Sequence, residues 1–170
     1  PAPAGTHLAV CCDVVDLGEV KTTWKDQEKV RPMIRIVWQI DEEMPDGRRC
    51  MVSKRYTNSA HRKAAIRRDL GSWRGANLSD EEAEAFDLEA LIGANALLNV
   101  VREQREGTTY ANVAAIVPPP RGSRKLEVSE NYVRVRNREE LASLPRSAAE
   151  IEYLSGERVG LRLLRCSIHD

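Results

Sequence analysis

Aromatic side chains are scarce in this chain: three Trp, four Tyr and one Phe, 5% of 170 residues. Any core must therefore be mostly aliphatic, and each ring has to be accounted for individually. Cysteine is equally thin. Cys11, Cys12, Cys50 and Cys166 show no CxxC spacing and have only His7, His61 and His169 to join them. That excludes a zinc ribbon or a disulfide framework and points to reduced thiols, with no metal expected. No apolar run approaches the ~18 residues of a membrane-spanning helix. The opening PAPAGTHLAV carries no basic segment before its apolar residues, so no secretory signal is read there. The missing initiator Met suggests a trimmed start, and a cytoplasmic protein without a membrane partner is expected. A Gly-rich phosphate loop, an HExxH motif and a usefully spaced Cys/His pair are all absent. No enzyme, catalytic residue or cofactor is therefore expected.

Net charge is absent too, since 26 bases balance 26 acids. The balance is not local. Between Arg48 and Gly75 stand Arg48, Arg49, Lys54, Arg55, Lys63, Arg62, Arg67, Arg68 and Arg74 against Asp69 alone, a surplus of 8. From Ala76 to Gly93 the chain carries Asp80, Glu81, Glu82, Glu84, Asp87 and Glu89 with no base. Concentrated positive charge beside Tyr56 and Trp73 suits a phosphate backbone with stackable bases. The alternative for any such run is a solvated basic face.

Alternation predicts a first strand over His7 to Leu17, with Leu8, Val10, Cys12 and Val14 on its apolar face and a turn at Asp16-Leu17-Gly18. The polar segment Glu19 to Arg31 reads as a loop or ragged hairpin. Within it Trp24 is either a loop anchor or a stacking platform among Lys21, Lys25 and Lys29. Pro32 opens a second strand in which Ile34, Ile36, Trp38 and Ile40 share the core face. Pro45-Asp46-Gly47 turns it into a third strand, Arg49 to Thr57. Asn58 or Ser59 is expected to cap a helix, Ala60 to Leu70, whose buried stripe continues through Ile66 and Leu70 to Trp73, with Gly71 and Gly75 as breakers. Ser79 to Glu82 forms a capping-box pattern before a short helix. Strands at Ala94 to Val101 and Thr109 to Val117 follow, and Pro118-Pro119-Pro120 marks a boundary. Residues 1–118 are thus expected to form one domain and 119–170 a linker and extension. In the extension, Tyr132 to Val135 reads as a short strand, and Asn137 to Ala142 and Ala148 to Leu154 as short helices.

Three strands, a helical region and two more strands is the order of a five-stranded Greek-key barrel of the OB type, so a mainly β fold with helices between strands three and four is expected. Such a barrel binds single strands on the face of strands two and three and with its rim loops.

Six pieces, VVDLG (Val14 to Gly18), IVWQIDE (Ile36 to Glu42), VSKRYT (Val52 to Thr57), WRG (Trp73 to Gly75), FDLEALIG (Phe86 to Gly93) and TYANVAAI (Thr109 to Ile116), give the run from Gly5 to Pro118 its resemblance to a family of small tailed-phage proteins of replication and recombination modules. The family looks like OB-fold single-stranded DNA-binding proteins. The resemblance implies sequence-tolerant binding of single-stranded DNA, with RNA left open, alongside replication or recombination proteins and self-association. Members often end in an acidic tail. The last fifty-three residues here instead hold ten bases and eight acids.

The expected contacts combine phosphate neutralisation with base stacking. They are Lys21, Trp24, Lys25, Lys54, Arg55, Tyr56, Arg62 and Arg67, joined by Arg48, Arg49, Lys63, Arg68 and Arg74, with Tyr110 and Asn112 reaching in from strand five. The competing expectation is a protein-interaction or oligomerisation module in which the basic 48–75 and acidic 76–93 segments pair between molecules.

Overall fold

The computed structural model describes residues 1–138. The chain folds as a mainly β unit: β1 (Gly5–Trp24), β2 (Gln27–Glu43), β3 (Arg49–Thr57), α1 (Ala65–Arg74), α2 (Asp80–Ala85), one 3-10 turn (Leu88–Leu91), β4 (Asn95–Arg105) and β5 (Thr108–Val117). The strands make one antiparallel sheet in the order β3-β2-β1-β4-β5. The helices expected at 148–154 and over most of 137–142 lie outside the described residues, as do Cys166 and His169.

One face of the sheet carries the core. Ile34, Ile36, Trp38 and Ile40 are all fully buried, as their alternation predicts, and Trp38 packs against Trp73 of α1 with ring centroids 5.7 Å apart. The face assignment in β1 needs correction. Cys11 stands opposite Trp38 and Asp13 opposite Val37, so Cys12 is an extra, bulged residue. A bulge reverses the alternation beyond it. Core-side packing is therefore carried by Ala9, Cys11 and Val14, while Asp13 turns to the other face.

The expected turn at Asp16-Leu17-Gly18 is a second bulge, and β1 runs on to Trp24. The segment read as a loop, Glu19 to Arg31, is a two-stranded ribbon. Lys25 and Asp26, both at positive φ (49° and 59°), close it in a two-residue hairpin turn. Pro32 lies inside β2 opposite Glu19 and does not open a strand. No core lies beneath this ribbon, so nothing apolar reveals its pairing in the sequence.

The sheet does not close into the expected barrel. α1 bridges its two edges: Lys54 and Tyr56 of β3 donate to Asp69 Oδ2 at 2.8 and 2.7 Å, and Ser72 Oγ donates to the Ile116 carbonyl of β5 at 2.6 Å. β3 and β5 approach one another without a hydrogen-bonded ladder between them, and α1 fastens both. Its placement differs from expectation as well. It begins at Ala65, because the Ser59 hydroxyl accepts from the His61 amide and spends residues 59–64 on turns. Gly71 lies within it, and Gly75 ends it at a left-handed φ of 82°. The Ser79–Glu82 capping box forms as predicted.

The chain does not leave the fold at Pro118. Residues 124–138 return as a strap across the face opposite the core. Asn95 of β4 exchanges two hydrogen bonds with the Leu126 backbone (2.7 and 2.9 Å), and Gln39 of β2 accepts from the Ser129 amide at 2.9 Å. The strap then closes over Asp13, which is 1% exposed and accepts from Tyr132 Oη (2.9 Å), Arg134 Nε (3.0 Å) and the Val135 amide (2.9 Å). Arg134 also forms a bidentate pair with Glu89 at 2.6 and 3.0 Å. Residues 132–134 pair with no strand, which corrects the strand expected there.

Cys11 and Cys12 are buried between these layers, and burial pushes both thiols up, Cys12 to about 12. Among the three cysteines of the described residues, a thiolate-directed reagent at pH 8 is expected to leave both of these untouched in native protein and to modify half-buried Cys50, as peptide mapping of the labelled chain would report.

Candidate nucleic-acid interface

The face opposite the core is built by the outward positions of β1, β2 and β3. Across it Val15, Arg35 and Arg55 stand in register, followed by Gly18, Met33 and Thr57. The same face continues onto the ribbon as the pairs Val20–Arg31, Thr22–Lys29 and Trp24–Gln27. Lys29, Arg31, Arg35 and Arg55 thus share one surface with Trp24, and at ~3.3 Å per residue Gln27 to Arg35 spans about 26 Å. Trp24 is 70% exposed, and Lys25 Nζ sits 4.6 Å from its ring centroid. It is no loop anchor; it crowns the hairpin tip.

Arg35 and Arg55 are directly opposed across the β2–β3 ladder. Like charges in that position destabilise a sheet by a few tenths to about 1 kcal/mol. Among the described residues no carboxylate forms an ion pair with either, or with Arg31 or Lys29. The fold carries an unneutralised pair where a single Glu would relieve it.

The other predicted contacts are distributed differently. Tyr56 is 2% exposed, and burial first, then its hydrogen bond to Asp69, pushes its hydroxyl well above the usual range. It is a core residue and offers no ring for stacking, because positions 52 and 56 face the core between outward Ser53 and Arg55. Lys54 is drawn to Asp69, and Arg68 lies 3.5 Å from the same carboxylate. Arg67 is a structural clip: its guanidinium donates to the carbonyls of Ala60 and Leu78 and pairs with Asp80 at 2.8 Å. Arg62 also pairs with Asp80, Arg74 with Glu82, and Arg48 with Asp46. Arg49 donates to the Glu127 carbonyl of the strap. Lys21 lies on the opposite face of the ribbon from Trp24. Lys63 is exposed on the turns before α1. Tyr110, 49% exposed, and Asn112, bound to Glu103, belong to the β4–β5 hairpin, with β4 and β1 between them and β2. They do not join the arginine surface.

The basic and acidic segments therefore neutralise one another in cis through Arg62, Arg67 and Arg74. Asp80 shows the effect most strongly: hydrogen bonds from Arg62 and then Arg67 hold its carboxyl down at about 2. A depressed carboxylate contributes stability above its unfolded pKa, near 3.9, and loses it as pH falls through the folded value. Asp80→Asn is expected to lower the melting temperature at pH 7, the difference from wild type shrinking between about pH 4 and pH 2 in calorimetry.

Arg31 and Arg35 are not among the contacts expected from sequence, and Lys29 enters there only as a neighbour of Trp24. The available signal was their i, i+2 spacing with Met33, on the side away from Ile34 and Ile36. The denser basic run between Arg48 and Gly75 masks it, although most of the cations there face acids. Among the described residues no group of His, Cys, Asp and Glu is arranged to hold a metal ion, and no helix is long and apolar enough to cross a membrane. No protein-family model matches the chain, and no curated protein does either.

Proposed function

We propose that this protein binds single-stranded nucleic acid, DNA in the first place, across the outer face of β1–β3 and along the ribbon. The observation that carries the reading is the directly opposed Arg35–Arg55 pair, left without a carboxylate on a face that continues through Arg31 and Lys29 to exposed Trp24. Cations in a line neutralise successive phosphates and release counterions, and an exposed ring stacks any base. The sheet is read as an OB-like fold opened along the β3–β5 seam, and its ribbon as an elongated rim loop. The six sequence pieces resembling tailed-phage replication and recombination proteins suggest the setting: coating of single strands in a host cytoplasm, beside proteins of those pathways.

The test is fluorescence anisotropy of a labelled dT strand of ~30 nucleotides at two salt concentrations, with duplex as competitor. Binding at sub-micromolar protein that weakens with salt and survives duplex competition is expected, accompanied by quenching of Trp24 emission. Absence of binding at micromolar protein and low salt overturns the proposal.

A further inference from the structure

Between the β2–β3 hairpin and the strap lies a cleft of about 470 Å³. Its lining includes Arg48, Arg49 and Arg138 with Asp46 as the acid, together with Met51 and Tyr132. The volume suits one small ligand, and the chemistry is that of an anion attached to a flat apolar group. Arg48 spends part of its charge on Asp46. Arg138 holds its guanidinium 5.7 Å from the Tyr132 ring centroid, which keeps a cation and an aromatic face side by side at one wall. Met51, 47% exposed, supplies an opposing apolar surface.

Position matters as much as composition. Met51 and Gln39 are paired two steps along the ladder from Arg35 and Arg55, with Val37 and Ser53 between. At ~3.3 Å per residue the cleft begins about 13 Å from the opposed arginines, on the same face. The strap wall is fixed firmly, since Tyr132 and Arg134 both donate to buried Asp13.

The geometry points to a mononucleotide-sized subsite in this cleft, formed jointly by the β2–β3 hairpin and the C-terminal strap. It takes a nucleoside monophosphate unit, with the phosphate on Arg49 and Arg138 and the base between Met51 and Tyr132. The inference rests on the single-strand reading only in treating that unit as the end of a bound strand; the subsite itself recognises phosphate and base together. It gives the extension a direct part in binding, in place of an acidic partner-recruiting tail.

The experiment titrates full-length protein with thymidine 5′-monophosphate at low salt and follows backbone amide shifts, alongside dT-strand anisotropy on the same samples. Saturable millimolar-range binding is expected, with shifts at Met51, Ser129 and Tyr132. Loss of a guanidinium–phosphate contact is worth about tenfold or more, so Arg49→Glu with Arg138→Glu should weaken the nucleotide by at least that factor. Lys63→Gln, on the exposed turns before α1 and outside both surfaces, should leave it unchanged. No saturable binding, equal binding by thymidine without phosphate, or indifference to the Arg49 and Arg138 substitutions overturns the subsite. The dT strand reports separately on the groove. Failure of the strand with retention of the nucleotide sinks the groove alone, and the reverse sinks the subsite alone.

Discussion

Arg35→Glu is expected to make the protein more stable and a worse binder at once. The new carboxylate faces Arg55 across the β2–β3 ladder, converting a like-charge pair into an opposite-charge one. That change is worth about 0.2–1 kcal/mol in a sheet and is read as a higher urea midpoint. Binding moves the other way, since a phosphate contact is lost and a repulsion gained. Reversing both residues, Arg35→Glu with Arg55→Glu, removes two phosphate neutralisations. For single strands each contributes about 0.7 to the slope of log affinity against log salt, so the slope should fall by about 1.4. Affinity at low salt should fall by roughly two orders of magnitude, with two charge-assisted contacts at 1.5–3 kcal/mol each setting that scale. The double reversal keeps the pair like-charged, so its stability should stay close to wild type. Equal loss of stability and binding would instead mark the two arginines as structural.

The second large effect is at Asp13. Asp13→Ala leaves Arg134 with Glu89 and the Val14 carbonyl, and strips the acceptor from Tyr132 and the Val135 amide. Removing one member of a buried pair typically costs roughly 3–5 kcal/mol. Part of that cost can be escaped, because the strap has the option of lifting into water. The expected outcome is therefore two-stage: new tryptic cleavage at Arg134, Arg136 and Arg138 under native conditions, together with a lower urea midpoint. Strand binding through Arg35 and Arg55 should persist in this variant. Nucleotide binding in the cleft should vanish, because the Tyr132 and Arg138 wall has moved. A strap that stays protease-resistant without Asp13 would show that Leu126, Ser129 and Glu89 hold it unaided.

The parts of the fold that bury apolar residues were readable from sequence. Ile34, Ile36, Trp38 and Ile40 announce β2, Ile66, Leu70 and Trp73 announce the buried side of α1, and Ser79 with Glu82 marks the start of α2. Three features were not legible, each for a physical reason. The Cys12 bulge leaves apolar residues on both sides of β1, so periodicity alone cannot say which face turns where. The ribbon from Glu19 to Arg31 is held by backbone pairing without a core, and Lys25-Asp26 is not a strong turn signal. The strap depends on Asp13 meeting Arg134 across 121 positions of chain, a contact with no local trace. The same limits apply to the candidate interface. Its cations lie on that ribbon and on the outward side of β2, whereas the denser basic run is mostly consumed by Asp69, Asp80 and Glu82.

The bridge made by α1 has a consequence for how these molecules behave together. An open sheet ends in two strands with unpaired backbone groups, a template for edge-to-edge aggregation. Here the two edges approach one another and α1 ties them together. Its Ser72 hydroxyl occupies the Ile116 carbonyl of β5, and Asp69 fastens Lys54 and Tyr56 of β3. On the β3 edge, Arg55 adds an exposed charge that resists a neighbouring strand. Loosening α1, rather than any change to the strands, is therefore the route by which copies of this chain would begin to polymerise through their edges.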